Sequence, residues 1–142
     1  MDMTAVVAMT ATATVRVQRD IVNQLQLNQP NLFIHGFARE NLAIEVVEAS
    51  ISERTERVIS SLQHPERRPA IVYGLSRKVV EQVAEALVST GEVRAAAYHA
   101  GMVATDRSAV QDAFQRGELD VVVATVAFGM GIDKADIRTV FH

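Results

Sequence analysis

The chain has 142 residues, 49% of them apolar and 22% charged, with a net charge of −3 and no cysteine. That length suits one compact domain with a real core, the missing thiols exclude disulfides and thiolate metal sites, and the mild negative balance excludes a protein that coats nucleic acid over its whole surface while leaving room for a local groove. No stretch is apolar for long enough to cross a bilayer and the N-terminus lacks a signal-peptide pattern, so a cytoplasmic protein with no membrane partner is expected.

In chain order, Ala5-Val6-Val7-Ala8 is a short strand candidate that runs into alternating Thr and Ala up to Thr14. Thr14 is placed to cap a helix over 15–27 with Val17, Ile21, Val22 and Leu25 near one face, and Asn28-Gln29-Pro30-Asn31 ends it. Strand candidates follow at 32–34 and 43–49, separated by a connector from Gly36 to Asn41. Ser52 is placed to cap a helix to about residue 63, with Val58, Ile59 and Leu62 inward. The charged loop 64–69 reads as a solvated corner.

From Pro69 onward strands and helices alternate regularly. The expected strands are 70–73, 93–98, 120–125 and 137–141. The expected helices are 76–90, with Val79, Val80, Val83, Ala84 and Leu87 inward, and 105–116, with Ala109, Val110, Ala113 and Phe114 inward; Gly91 and Gly117 close them. This alternation implies right-handed crossovers and an α/β fold with a mostly parallel sheet. The run Asp120-Val121-Val122-Val123-Ala124-Thr125 is β-branched enough for a strand buried on both faces.

In open α/β sheets ligands bind beyond the carboxyl ends of the strands. Three loops there carry polar groups. Ser76 and Arg77 stand at a helix N-terminus, which favours an anion, and they read equally well as an ordinary cap followed by a surface Arg. His99 and Gly101 offer an imidazole and an amide to a phosphate, or form a turn glycine beside a packed histidine. Arg107 follows in the next helix, either facing the same edge or solvated. The third loop holds Thr125, Gly129, Gly131 and Asp133: a hydroxyl and exposed amides suit a phosphate, and a carboxylate suits a sugar hydroxyl or a cation. Histidines at 35, 64, 99 and 142 have no metal-like spacing, so no metal site is expected. Aligned on one edge, the three loops would form a track for a nucleic-acid backbone, with salt-dependent contacts and no base reading.

Taken as a set, these strings resemble the second RecA-like lobe of a RecQ-family, superfamily 2 DNA helicase. Thr10-Ala11-Thr12-Ala13 is similar to motif III, Phe37-Ala38-Arg39-Glu40-Asn41-Leu42 to the family's F-x-R-x-N-L, and Ile71-Val72-Tyr73-Gly74-Leu75-Ser76-Arg77 to motif IV, with Gly74 where Cys is common. Ala97-Tyr98-His99-Ala100-Gly101-Met102 resembles the Y-H-A-G-L element. Val123 to Lys134 resembles motif V, and its Phe-Gly-Met-Gly-Ile-Asp-Lys form is the most specific of the matches.

The resemblance implies a three-layer, P-loop NTPase-like lobe: residues 1–37 would end a first lobe, and 38–142 would form most of the second, stopping before motif VI. It implies a 3′-to-5′ helicase driven by ATP and Mg²⁺, acting on single-stranded DNA and duplex junctions in repair and recombination. Ser76, Arg77, His99, Gly101, Arg107 and Thr125 would then contact DNA, Gly129, Gly131 and Asp133 would face the ATP cleft, and Thr10 and Thr12 would couple the lobes. No G-x-x-x-x-G-K-[ST] or D-E-x-H string occurs in these 142 residues. The piece alone is therefore expected to hydrolyse no ATP, to need a first lobe and downstream domains as partners, and to have N-terminal strands that are disordered, repacked or paired with a second copy. A non-catalytic DNA- or protein-binding module and a lobe of an RNA helicase are the alternatives.

Overall fold

The computed structural model describes residues 6–10, 12–34, 41–126, 128 and 134–142. The chain divides into two units, residues 1–45 and 46–142.

In the first unit, helix α1 (Val15–Gln24) starts where expected: Thr14 Oγ1 accepts from the Val17 N–H at 3.4 Å. It stops three residues earlier than the sequence suggests. The Leu27 N–H reaches back to the Val22 carbonyl at 3.0 Å and the Gln26 N–H to that of Asn23 at 3.1 Å. These paired bonds close the last turn, with Gln26 in the left-handed region at φ 50°. No residue of α1 is buried; Ile21 and Val22 are half-buried. The strands expected at 5–8 and 32–34 are not formed among the described residues, and Val7 and Phe33 are exposed. A strand needs neighbours to satisfy its backbone and cover its side chains.

The strand expected at 43–49 is also absent: Ile44 and Val46 are each 92% exposed. Helix α2 (Ile51–Leu62) begins at Ser50, not Ser52. The Glu53 carboxylate accepts from the Ser50 hydroxyl at 2.7 Å and from its backbone N–H at 2.9 Å. These two bonds hold the Glu53 carboxyl below its ordinary pKa, the hydroxyl contributing most. A single 3-10 turn (Pro65–Arg67) follows.

The sheet has four parallel strands, β1 (Ala70–Tyr73), β2 (Ala95–Tyr98), β3 (Val121–Ala124) and β4 (Thr139–Phe141), in the order β2-β3-β1-β4. Side chains alternate between its faces. On one face Ala70, Val72, Val121 and Val123 pack with Leu62 of α2 and with Val80, Val83, Ala84 and Leu87 of α3 (Arg77–Ser89). On the other, Ile71, Val122 and Ala124 pack with Phe114 of α4 (Ala104–Gln115), Tyr98 and Phe128. The result is the expected three-layer α/β lobe. Val79 and Ala109, expected inward, are exposed, because the helical period turns them off the buried stripe.

Candidate functional site

Because all four strands are parallel, the loops after β1, β2 and β3 leave from the same end of the sheet. Backbone bonds carry the ladder up to that rim. The Gly74 N–H donates to the Ala124 carbonyl at 2.8 Å, and the Thr125 N–H to that of Tyr98 at 3.2 Å. Strand order sets the loops side by side, with Thr125 between the loop holding His99 and Gly101 and the loop holding Ser76 and Arg77.

Ser76 is the N-cap of α3, its Oγ accepting from the Val79 N–H at 3.3 Å. Arg77 is exposed, without a carboxylate partner among the described residues. Its guanidinium lies over Gly101: a Cβ at Gly101 would come within 2.7 Å of Arg77 Nη1 and 3.1 Å of Cζ. Two of the three loops thus meet through an uncompensated positive charge. Arg107 is half-buried in the first turn of α4, whose N-terminus leaves from the loop after β2.

His99 is placed differently from the phosphate contact expected of it. Its side chain is only 8% exposed, and Nε2 lies 2.9 Å from Glu81 Oε1 on α3. Its Nδ1 is buried with no partner. Glu81 escaped the sequence reading because its partner lies 18 positions away; the available signal was its place one helical turn beyond Arg77.

Thr125 is half-buried, and its carbonyl accepts from the Phe128 N–H at 3.0 Å, turning the chain over the rim. Phe128, also missed as a site residue, anchors this loop. It is 2% exposed, stands edge-on to Tyr98 at 4.7 Å between centroids, and its carbonyl accepts from Tyr73 Oη at 3.0 Å. Gly129, Gly131 and Asp133 lie outside the described residues. Lys134, just beyond them, has a side chain only 7% exposed, with Nζ 3.0 Å from Asp136 Oδ1 and over the Phe114 ring at 5.5 Å. Thr10 and Thr12 are exposed in the first unit, the Thr12 N–H 3.3 Å from Thr10 Oγ1. Among the described residues no group of His, Asp and Glu side chains is arranged to hold a metal ion.

The described rim thus offers hydroxyls and the open Arg77 guanidinium to an anionic backbone, and no phosphate cradle for a nucleotide. Comparison with known proteins points the same way. The helicase conserved C-terminal domain model matches residues 53–142. The chain is 42% identical over 142 residues to the ATP-dependent DNA helicase RecQ of Bacillus subtilis, covering 99% of this chain and 23% of that one. It is 41% identical to RecQ of Pasteurella multocida, over 96% of this chain and 21% of that protein. It is 40% identical to the ATP-dependent helicase SGS1 of Saccharomyces cerevisiae, over 96% of this chain and 9% of that protein. The chain therefore spans less than a quarter of the length of these relatives.

Among solved structures, the Mycobacterium smegmatis helicase Lhr bound to ssDNA and AMP-PNP superposes with a TM-score of 0.52 at 26% identity, over 63% of this chain and 12% of that one. The RNA helicase Prp28 of Chaetomium thermophilum bound to ADP gives a TM-score of 0.52 at 28% identity, over 60% and 21%. With the family model covering the whole parallel sheet, α3 and α4, the chain belongs to the helicase conserved C-terminal domain family, and its similarity to RecQ helicases runs over nearly its full length.

Proposed function

We propose that this chain is the part of a RecQ-type, ATP-dependent 3′-to-5′ DNA helicase that grips the single strand: residues 38–142 serve as the second RecA-like lobe, and residues 1–37 as the end of the first. The observation that carries this reading is the juxtaposition of Arg77 and Gly101 on a rim shared with Thr125, in a chain about 40% identical to RecQ helicases over nearly all its length. Arg77 supplies a fixed charge to a phosphate. Ser76, Gly101, Arg107 and Thr125 supply further contacts to the sugar–phosphate backbone, which hold register without reading bases.

ATP, with Mg²⁺, belongs mainly to the first lobe, and Gly129, Gly131 and Asp133 are assigned to the same nucleotide. ATP supplies the phosphoryl-transfer free energy that drives stepping. The rim residues hold the strand and take no step in hydrolysis.

The test is a fluorescence-anisotropy titration of the 142-residue chain with labelled oligo(dT) and oligo(U) across a salt series. Binding to oligo(dT) that weakens linearly with log salt, and weakens further in R77A, supports the reading. Absence of salt-dependent binding sinks it. Preference for oligo(U) turns it into an RNA helicase lobe, the class to which the structural neighbour Prp28 belongs.

A further inference from the structure

We propose that Glu81 and His99 form a positioning pair that holds the Arg77 guanidinium at the rim, and that the anion-binding group of this corner is Arg77 and not His99. This rests on the backbone-gripping role just proposed.

A carboxylate only accepts hydrogen bonds, so the 2.9 Å contact between Glu81 Oε1 and His99 Nε2 puts the proton on Nε2. Its Nδ1 is buried without a partner. With Nε2 on Glu81 and Nδ1 buried, the imidazole presents no open nitrogen to a phosphate. What His99 does hold is the turn. The Met102 N–H donates to the His99 carbonyl at 3.1 Å, so seating His99 seats Gly101. Gly101 in turn makes the space in which the Arg77 side chain lies, with Nη1, Cζ and Cδ at 2.7, 3.1 and 3.2 Å from where a Cβ would stand.

Glu81 has a second effect. It lies four residues after Arg77 on α3, where a carboxylate and a guanidinium ordinarily pair. Tied to His99, Glu81 leaves Arg77 open. Freed from His99, it would compete with the phosphate for the same guanidinium.

The experiment is the same oligo(dT) titration with R77A, G101A, E81A, E81Q and H99Q, with far-UV circular dichroism confirming the fold. Glu81 is 61% exposed, so E81A tests the pair without emptying the core. Removing a negative charge beside a DNA track should tighten binding by Coulomb's law alone. The positioning role predicts the opposite: E81A binds about threefold more weakly, while E81Q and H99Q, which keep a hydrogen bond between the two positions, stay within about twofold of wild type. G101A pushes the guanidinium aside but leaves its charge at the rim, so it weakens binding about threefold where R77A weakens it about tenfold. If R77A binds like wild type, the backbone-gripping role and the pair fall together. If R77A weakens binding but E81A and G101A do not, only the positioning pair falls. If H99Q binds as weakly as R77A while E81A is unaffected, the imidazole itself contacts the strand and the assignment is overturned.

Discussion

The carboxylate of Asp120 accepts three times from Arg94: from its backbone N–H at 2.9 Å, from Nε at 3.0 Å and from Nη2 at 2.6 Å. Asp120 immediately precedes β3 and Arg94 precedes β2, so the pair pins the two strands at the end of the sheet opposite the rim. The Asp120 backbone continues the tie, its N–H donating to the Arg94 carbonyl at 2.8 Å and its carbonyl accepting from the Ala70 N–H at 2.9 Å. Register at one end fixes which residues emerge at the other.

Asp120 therefore predicts an acid-sensitive fold. Hydrogen bonds from Arg94, more than its charge, hold the Asp120 carboxyl below the ordinary aspartate value, with the Arg68 guanidinium adding to the effect. A depressed carboxyl stabilises the fold above its unfolded pKa, about 3.9, and that contribution disappears as pH falls through the lower folded value. Asp120→Asn should cost about 1 kcal/mol at pH 7. The gap to wild type should close below about pH 4. Urea denaturation from pH 3 to 7 measures it, and a gap independent of pH would contradict the assignment.

Two helix ends predict changes of opposite sign. α1 and α4 close with the same paired bonds: Glu118 and Gly117 donate to the Ala113 and Phe114 carbonyls at 2.9 and 3.1 Å, as Leu27 and Gln26 do to Val22 and Asn23. The left-handed position is Gly117 at φ 75° in one and Gln26 at φ 50° in the other. Gly117→Ala should destabilise by about 1 kcal/mol, and Gln26→Gly should stabilise α1 by roughly 0.5 kcal/mol. Urea midpoints check the first, and hydrogen exchange of the α1 amides checks the second.

The loop that turns over the rim after β3 should depend on its aromatic anchor. Phe128 packs edge-on against both Tyr98 and Phe114. Phe128→Ala should cost about 3–5 kcal/mol, and Phe128→Leu much less. Tyr73→Phe, which removes the 3.0 Å bond to the Phe128 carbonyl, should cost about 1 kcal/mol. Thermal and urea unfolding rank the three; an order other than this would mean that the loop is held elsewhere.

How much of this was legible in the sequence follows from how each element is held. β1 stands where its apolar run placed it and β3 within a residue at each end, because strands covered on both faces show as unbroken β-branched stretches. The run at 43–49 carries similar residues but has no neighbouring strand among the described residues, and local preference does not make a strand without partners. The start of α2 was readable: Glu53 three positions after Ser50 is the capping signature, and it outweighs Ser52. At the site, the rim followed from parallel topology. The pairing of His99 with Glu81 did not, since the two residues lie on different elements.

Ser76 separates two roles that a single alanine substitution would confuse. Its Oγ accepts from the Val79 N–H at 3.3 Å, which caps α3, and its O–H remains able to donate to a phosphate. Ser76→Ala removes both, and should lower stability by about 1 kcal/mol along with DNA affinity. Ser76→Asp keeps the cap and suits the positive end of the helix dipole. It also sets a carboxylate against the proposed strand. The Asp variant should therefore unfold at or above the wild-type urea midpoint yet bind oligo(dT) more weakly than the Ala variant. Wild-type affinity in Ser76→Asp would put the hydroxyl off the phosphate track and reduce Ser76 to a helix cap.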